Sequence, residues 1–342
     1  MKYDLSIIQQ DLEGAVKLAV EAEAIGFDAF WTAETAHNPF FPLTLASSQT
    51  ERIGLGTQIA VAFPRSPMVI AQIAWDLQKQ SEGRFKLGLG TQVQAHIEKR
   101  FGMKWQTPIR QMREYVESVR AIWDTFQNDA RLRYKGEHYT FRLMAPFFNP
   151  GPIEHPDIPI YIAGVNEHMC QLAGSHCDGL HAHAFHSVRY LKEIVEKNIE
   201  IGLATTDKKR SEFELVVPVF IACGEDQQAL DEAIREVKSR IAFYASTPAY
   251  RVLMQLHGWD TEAKILSGMA RDGEWEQMWK KIDDSTLEEI AIVGTPQEVM
   301  PMLKKRYEGL ADRVCIGWEK DEAAPSELWK QFMTYRKGNI NE

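Results

Sequence analysis

The sequence lacks any long hydrophobic run. Its apolar stretches stay well short of the roughly 20 residues that a membrane-spanning helix needs. The first ten residues, MKYDLSIIQQ, turn polar after one short apolar stretch and do not resemble a signal or transit peptide. These absences favour a cytoplasmic protein over one of the membrane or the secretory pathway.

The chain also lacks an excess of positive charge and a recognisable cysteine pattern. Its formal net charge is −9, and lysine and arginine are scattered among acidic residues, which disfavours nucleic acid as a partner. The four cysteines lie at spacings that suit neither disulfide bonds nor a zinc site: Cys170, Cys177, Cys223 and Cys315. We therefore expect free, buried thiols in a reducing compartment.

What the sequence does contain is an alternation of strands and helices along its whole length. Short β-branched runs predict strands, and longer segments with a 3.6-residue period predict helices. The eight predicted strands are residues 3–8, 29–33, 53–61, 84–90, 160–163, 179–184, 214–223 and 313–318. The predicted helices are residues 12–25, 42–49, 67–80, 109–126, 168–173, 188–201, 227–244, 295–307 and 326–337.

Eight strands separated by helices predict an α/β fold, a closed parallel (β/α)8 or TIM barrel, in one domain spanning residues 1–342. The alternative is a doubly wound open sheet, but no GxGxxG or P-loop glycine motif follows the first strand. Two insertions interrupt the alternation. Residues 103–157, after the fourth strand, predict a helix and a β-hairpin, and residues 246–289, after the seventh strand, predict helices.

In a barrel, active-site groups lie on the loops that follow the C-terminal ends of the strands. One such loop, residues 163–166 (AGVN), leads straight into a helix, where free backbone N–H groups could hold a phosphate. Local sequence alone favours an ordinary helix start capped by Asn166. At the other end of the barrel, we expect an ion pair between Asp76 and Arg84 to hold a helix-to-strand turn.

Several histidines also fall on these loops. His181 and His183 are two residues apart on a strand and share one face. Zinc would also need carboxylates or thiols at ligand spacing, and none is found, so we predict no metal site; hydrogen bonding inside the barrel or contact with a bound ring system is favoured. His37 and His96 lie on loops, where an imidazole is either solvated or in contact with a substrate.

Three motifs in this order resemble the luciferase-like monooxygenase superfamily: residues 50–57 (TERIGLGT), 81–91 (SEGRFKLGLGT) and 292–299 (IVGTPQEV). Residues 26–31 (GFDAFW) fit the same pattern, and the resemblance covers essentially the whole chain. The segments 90–102, 164–166 and 178–186 are most similar to the branch of oxidoreductases that depend on coenzyme F420, an 8-hydroxy-5-deazaflavin.

The resemblance implies a phosphate-bearing cofactor, F420 or alternatively FMN, across the C-terminal mouth of the barrel. Ala163, Gly164, Val165 and Asn166 match the segment that wraps the phosphate. Gln58 and Ile59 fall where the family often has a non-prolyl cis peptide that cradles the ring. The resemblance places Thr57 and Thr91 at the ring's polar edge. Gln92, which stands where the family often has a second glycine, and His181 and His183 complete the predicted cofactor-binding group.

The sequence also departs from the family pattern. Where luciferases have Glu-His and many deazaflavin dehydrogenases have Asp-His, this chain has Glu34-Thr35, so the usual histidine is missing. The acid or base candidates are His37, Glu34 and His96, with His37 preferred because its ordinary pKa is near neutrality. Trp31 is expected to form an apolar wall for the ring or the substrate; the alternative is an aromatic residue of the barrel core.

The hypothesis that follows is hydride transfer between F420 or a flavin and a small organic substrate. The alternatives are a two-component monooxygenase that uses reduced FMN and O₂, a non-catalytic cofactor-binding barrel protein and, as the weakest, a metal-dependent hydrolase. The two insertions are rich in aromatic residues and are expected to set substrate choice or a subunit interface. The resemblance implies a homodimer.

Overall fold

The computed structural model describes residues 1–8, 11–319, 328 and 331–335, with the backbone alone at 318 and 319. Most of the helix predicted at residues 326–337 lies outside the described residues. The strands are β1 (Lys2–Ile8), β2 (Ala29–Thr32), β3 (Gly54–Thr57), β4 (Ala60–Val61), β5 (Phe85–Gly90), β6 (Tyr134–Lys135), β7 (Thr140–Phe141), β8 (Ile160–Ala163), β9 (Gly179–His181), β10 (Glu214–Cys223), β11 (Ala291–Gly294) and β12 (Arg313–Glu319).

The helices are α1 (Leu12–Ile25), α2 (Phe40–Ser47), α3 (Pro67–Gln80), α4 (Gln94–Lys99), α5 (Pro108–Asn128), α6 (Glu167–His176), α7 (Val188–Tyr190), α8 (Lys197–Leu203), α9 (Gln227–Ala245), α10 (Arg251–Leu256), α11 (Asp260–Arg271), α12 (Asp284–Ile290) and α13 (Pro296–Tyr307). A π-helical segment, Leu191–Glu196, joins α7 to α8. No helix in the described part of the chain is both long enough and apolar enough to cross a membrane.

Eight parallel strands close into a barrel, in the order β1, β2, β3, β5, β8, β9, β10, β12 and back to β1. The closing pair runs in register from Lys2 opposite Arg313. The predicted TIM barrel is thus confirmed. The predicted strand 53–61 is interrupted, because the peptide bond between Gln58 and Ile59 is cis and separates β3 from β4. Strand β11 was not predicted; it pairs with the second half of β10.

Apolar side chains form two layers, one on each side of the strands. The outer layer packs the strands against the helices, with Leu55, Leu87 and Val217 among its fully buried members. The inner layer fills the barrel interior and contains Ala29, Trp31, Tyr161, Val216 and Cys315. Because side chains alternate along a strand, each strand contributes to both layers.

Glycines make room for the large interior rings. A Cβ atom added at Gly56 would lie 2.3 Å from Cζ3 of Trp31, and one at Gly88 would lie 1.8 Å from the carbonyl oxygen of Thr57. The Gly-x-Gly patterns of β3 and β5 are therefore a packing requirement of the barrel interior. Below Trp31, Arg313 makes a bidentate ion pair with Asp4 at 2.7 Å for each N–O pair, and Trp31 Nε1 donates to Asp4 at 2.9 Å.

The predicted ion pair between Asp76 and Arg84 was wrong. Arg84 instead donates to the carbonyl oxygens of Ile53 and Thr50, both at 2.9 Å, because its side chain lies beside the residues that precede β3. Asp76 is exposed. The turn between α3 and β5 is held by Gln78, whose side chain accepts from the backbone N–H of Phe85 at 3.0 Å.

The two interrupting segments lie outside the barrel strands. Residues 103–157 contain α5 and the antiparallel pair β6–β7, and residues 246–289 contain α10, α11 and most of α12. The second segment reaches the C-terminal mouth of the barrel, because Tyr250 packs 5.3 Å from Tyr244 of α9, measured between ring centroids.

Candidate functional site at the barrel mouth

A cavity of about 740 Å³ opens at the C-terminal ends of the barrel strands. Strand-end residues line its base, including Ser6, Ala33, Gln58, Ala163, His183 and Gly317, and one face of α9 forms a side wall. Cavities that bind small molecules typically enclose about 300–1,000 Å³. The position is the one that barrel enzymes use for their active sites.

The cis peptide between Gln58 and Ile59 lies in the lining of this cavity. This is the geometry that the family resemblance implies at the position. The Gln58 side-chain amide is oriented from both ends: its Nε2 lies 3.1 Å from His181 Nδ1, and its Oε1 accepts from the Cys315 thiol at 3.3 Å. Burial raises the pKa of that thiol, so it keeps the proton that it donates.

His181 lies directly beneath this amide and is almost completely buried. Because Nδ1 accepts from Gln58, the neutral ring carries its proton on Nε2, which is buried without a hydrogen-bond partner among the described residues. A Cβ added at Gly88 would lie 2.8 Å from that nitrogen, so Nε2 points into the barrel and away from the cavity. Burial lowers the pKa of His181 to about 3 and keeps the ring neutral.

His183 lies one layer higher, on the cavity surface. Its Nδ1 accepts a hydrogen bond from the backbone N–H of Phe185 at 3.0 Å. Its ring centroid lies 4.5 Å from that of Tyr244 and 4.5 Å from that of Tyr250. Burial lowers the pKa of His183 to about 3, with a smaller contribution from His186. The neutral ring therefore carries its proton on Nε2.

Glu34 is held in an ion pair with Arg65 at the edge of the cavity. The two N–O distances are 2.7 and 2.9 Å, and the side chains are 6% and 16% exposed, respectively. Glu34 Oε2 also accepts from the backbone N–H of Val61 at 2.7 Å, and its own N–H donates to the Ile59 carbonyl at 3.2 Å. Glu34 thus has its carboxylate oxygens committed to the strand bulge that carries the cis peptide.

Two predicted contacts need correction because the side chains are fully buried. Trp31 lies inside the barrel below the cavity and therefore forms no wall that a substrate could touch. Thr57 is also buried; its hydroxyl donates to the Gly88 carbonyl at 2.6 Å and accepts from the Gly88 N–H at 2.9 Å. Its role is to join β3 to β5, and it does not reach a ring edge.

His37 and His96 are exposed, on the loop after β2 and on α4, and neither belongs to the cavity lining as described. Thr91 and Gln92 are half-buried at the end of β5, where the Thr91 hydroxyl donates to the Gln92 carbonyl at 3.0 Å. Gln92 takes a positive φ of 59°. The structure does not bring these four residues to the cavity, and their roles stay predictions.

The segment from Ala163 to Asn166 joins the cavity to the start of α6. Asn166 caps this helix, since its Oδ1 accepts from the Met169 N–H at 3.0 Å, and the first intrahelical bond runs from Cys170 to Asn166. Tyr190 donates to the Val165 carbonyl at 2.5 Å and holds the segment against α7. The Gly164 N–H donates to the His181 carbonyl at 3.2 Å. The N–H groups of Glu167 and His168 precede the first helical bonds and are therefore the ones that could receive an anion.

The cavity fits a flat ring with a phosphate. A Cβ added at Gly317, which lines it, would meet no atom of the described residues within 4 Å, so this glycine leaves space above the strand ends. Apolar walls, the Gln58 amide and the start of α6 supply the contacts that such a group needs. No group of three or more metal-ligating side chains occurs within the described residues.

Sequence reasoning missed Arg65, Cys315, Gly317 and the wall formed by α9. Arg65 lies in the loop after the third predicted strand, but nothing in the local sequence pairs it with Glu34. The wall residues on α9, among them Glu232, Glu236 and Arg240, have the spacing of one helix face. That periodicity predicts the helix, but it does not show that this face of the helix lines the cavity.

The chain belongs to the luciferase-like monooxygenase family, whose model matches residues 4–313. It is 45% identical over 314 residues, 92% of each chain, to the Mycobacterium tuberculosis protein named Uncharacterized protein Rv1360. It is 28% identical over 328 residues, 93% of each chain, to 5,10-methylenetetrahydromethanopterin reductase of Archaeoglobus fulgidus. The coenzyme F420 dependent tetrahydromethanopterin reductase of Methanopyrus kandleri has the same fold, with a TM-score of 0.79 at 21% identity, covering 97% of this chain and 96% of that one.

Proposed function

We propose that this protein is an oxidoreductase that transfers a hydride between coenzyme F420 and a small organic substrate. The observation that carries the proposal is the cavity at the barrel mouth, lined by the cis peptide of Gln58 and Ile59 and adjoining the start of α6. A relative that shares 28% identity over 93% of this chain is named as a reductase, which supports the reaction class.

The residues that would hold the cofactor are those of two neighbouring surfaces. Gln58, Ile59 and the open space at Gly317 would hold the ring, and residues 163–166 would hold the phosphate. When bound, the cofactor supplies the position that gives or takes the hydride.

The protein's own contribution is to orient, to exclude water and to fix hydrogen-bond donors. The lining is largely apolar, with Ile59, Val219 and Phe220 among its members, so a bound substrate would exchange water contacts for apolar surface. The Gln58 amide is locked between His181 and Cys315 and therefore presents its remaining N–H without a cost of reorganisation. Both histidines of the lining are neutral, so the site works without an imidazolium.

The test is anaerobic incubation of the purified chain with reduced F420, and separately with reduced FMN, in the presence of a panel of small carbonyl compounds. We expect substrate-dependent oxidation of F420 and formation of the alcohol. No oxidation of reduced F420, together with an oxygenated product that forms only with enzyme, reduced FMN and substrate in an aerobic control, would instead indicate the monooxygenase that the family description includes. Tight binding of either cofactor without turnover of any compound would indicate a binding protein.

We also propose that the protein acts as a homodimer in the cytoplasm. The four cysteines are free thiols, as expected for a reducing compartment. Exposed apolar side chains on α2, Phe41 at 61% and Leu45 at 45%, offer a surface that a second copy could cover. Light scattering after size-exclusion chromatography should give twice the chain mass of 39.1 kDa. A single-chain mass at micromolar concentration would contradict the dimer.

A further inference from the structure

We propose that His183, as a neutral imidazole, donates a hydrogen bond from Nε2 to the oxygen of a neutral carbonyl substrate. This inference rests on the proposed function for its hydride. It assigns His183 to the substrate, whereas the family resemblance placed it with the cofactor. His183 would then supply the imidazole that is missing at the position after Glu34.

The proton position on His183 follows from one contact. A backbone N–H can only donate, so the 3.0 Å bond from Phe185 requires a lone pair on His183 Nδ1. In a neutral ring the proton then lies on Nε2. This nitrogen makes no hydrogen bond to any described residue and is not fully enclosed by protein, and the residue lines the cavity. Within the described part of the chain it is a donor without an acceptor.

The ring is also held in place and kept neutral. Tyr244 and Tyr250 pack on it with ring centroids 4.5 Å away. His186, whose charge would act on His183, is itself buried, and burial lowers its pKa to about 4. The low pKa of His183 agrees with this apolar surrounding. A neutral imidazole in a fixed orientation is a donor that polarises a carbonyl without giving up its proton.

The other residues considered as acid or base, and His181, fail on position. His37 and His96 are exposed outside the cavity lining, and both oxygens of Glu34 are bonded to Arg65 and Val61. His181 points its Nε2 toward Gly88, below the cavity base. Among the described lining residues, His183 therefore combines a fixed proton with access to the cavity.

The charge of the lining indicates a neutral substrate. The described lining contains two carboxylates, Glu232 and Glu236, and one permanent cation, Arg240, which already has an interaction partner. An anionic substrate would find little compensation there, while Phe220 and Phe243 offer apolar surface. A small, largely apolar ketone or aldehyde, or the corresponding alcohol in reverse, fits both features.

The reaction step balances as follows. Hydride addition forms a C–H bond at the carbonyl carbon and breaks the C=O π bond, whose electron pair moves to oxygen. The oxygen becomes an alkoxide, which the His183 N–H stabilises, and a proton from water completes the alcohol. The carbonyl is reduced by two electrons, and the reduced deazaflavin that supplies the hydride is oxidised by two.

The experiment is ¹⁵N NMR of the full chain labelled at its ten histidines, with His183 assigned by its loss in His183→Gln. We expect a neutral ring with the proton on Nε2 from about pH 5 to 8. Saturating cyclohexanone should shift the Nε2 signal, and methylenecyclohexane, which has the same shape without the oxygen, should not. A proton on Nδ1, an imidazolium in this pH range, or a signal that cyclohexanone leaves unchanged would overturn the proposal.

Variants give a second measurement on the cofactor-loaded protein. His183→Gln keeps an N–H near the position of Nε2, whereas His183→Phe keeps only the ring shape. We expect His183→Phe to weaken cyclohexanone binding about three- to tenfold and His183→Gln to retain most of it. Equal losses in both variants would overturn the role. The exposed His155→Phe, which lies outside the cavity lining and away from the start of α6, serves as the control. If neither F420 nor FMN binds but cyclohexanone still shifts His183, the proposed function fails and this assignment stands.

Discussion

Glu34 and Arg65 form a bidentate ion pair in which both carboxylate oxygens are engaged, 31 residues apart in sequence. The pair ties the loop after β2 to the bulge between β3 and β4, since Glu34 also accepts from Val61 and Arg65 Nη1 donates to the Val61 carbonyl at 2.9 Å. Tyr115 of α5 donates to the Arg65 carbonyl at 3.0 Å and extends the connection to the first insertion. Glu34 therefore positions the cavity lining.

Removing one partner of this pair should destabilise the protein strongly. Arg65→Met leaves the Glu34 carboxylate buried without its counter-charge, which should lower the free energy of unfolding by about 3–5 kcal/mol. The double variant Glu34→Gln with Arg65→Met leaves no buried charge and should recover much of that loss. Urea denaturation of the three proteins measures both effects.

The exposed pair of Arg113 and Glu117, at 3.8 Å, is the matched control, and Arg113→Met should cost less than about 1 kcal/mol. A similar small cost for Arg65→Met would contradict the account. If Glu34 were the general acid or base instead, Glu34→Gln would change the pH dependence of turnover, which we expect to stay as in the wild type.

The buried histidines predict a loss of stability on mild acidification. Burial lowers the pKa of His181 to about 3 and of His186 to about 4, from an ordinary value of 6.5. Below 6.5 the unfolded chain takes up protons that the folded chain does not, so stability is complete above 6.5 and falls as the pH falls toward the folded pKa values. The expected slope is about 1.4 kcal/mol per histidine for each pH unit.

Urea denaturation at several values between about pH 5 and 7 measures this slope, in a window above the ordinary carboxyl pKa of 4.5. His186→Phe loses the hydrogen bond to Tyr307 and should be less stable at every pH. The slope of its free energy of unfolding against pH should be smaller by the contribution of one histidine. A free energy of unfolding that is flat over this window would show that the rings are not buried as neutral groups.

The same substitution at two glycines should change the free energy of unfolding by different amounts. Gly56→Ala puts a methyl group 2.3 Å from Trp31 and 2.8 Å from the Lys86 carbonyl, so we expect a loss of about 1–3 kcal/mol or more. Gly317→Ala meets no atom of the described residues within 4 Å and should stay within about 0.5 kcal/mol of the wild type. Thermal unfolding of both variants checks the pair, and a Gly56→Ala protein as stable as the wild type would refute the packing of Trp31.

The barrel could be predicted because its signals are local. Each of the eight barrel strands is marked by its own apolar run, and the helices by their own period. Where a feature depended on distant contacts, the prediction failed or was absent. Strand β11 is four residues long, at the end of an insertion, and becomes recognisable through its pairing with Phe220–Cys223 of β10. The sequence suggests Asp76, a neighbour along the chain, as the partner of Arg84, although its partners Thr50 and Ile53 lie just before the adjacent strand β3.

The sequence was enough to locate the loops that form the site, but it was less able to assign a role to each side chain on them. The strand-end rule selected the segments that carry Gln58, Ala163, His181 and His183, and all four line the cavity. The rule does not say which way a side chain points, so Trp31 and Thr57 were assigned to the ligand although both face the protein. The tautomer of His183 depends on one backbone N–H, at Phe185, and no sequence pattern reveals it.

Cofactor binding at this cavity can be measured by equilibrium titration of the purified chain with oxidised F420 and, in parallel, with FMN. We expect saturable binding of F420, one molecule per chain, and at least tenfold weaker binding in Gly317→Leu, whose side chain extends into the open space at the cavity base, with the thermal midpoint unchanged. Binding of neither compound, or F420 binding that Gly317→Leu leaves unaltered, would contradict this expectation.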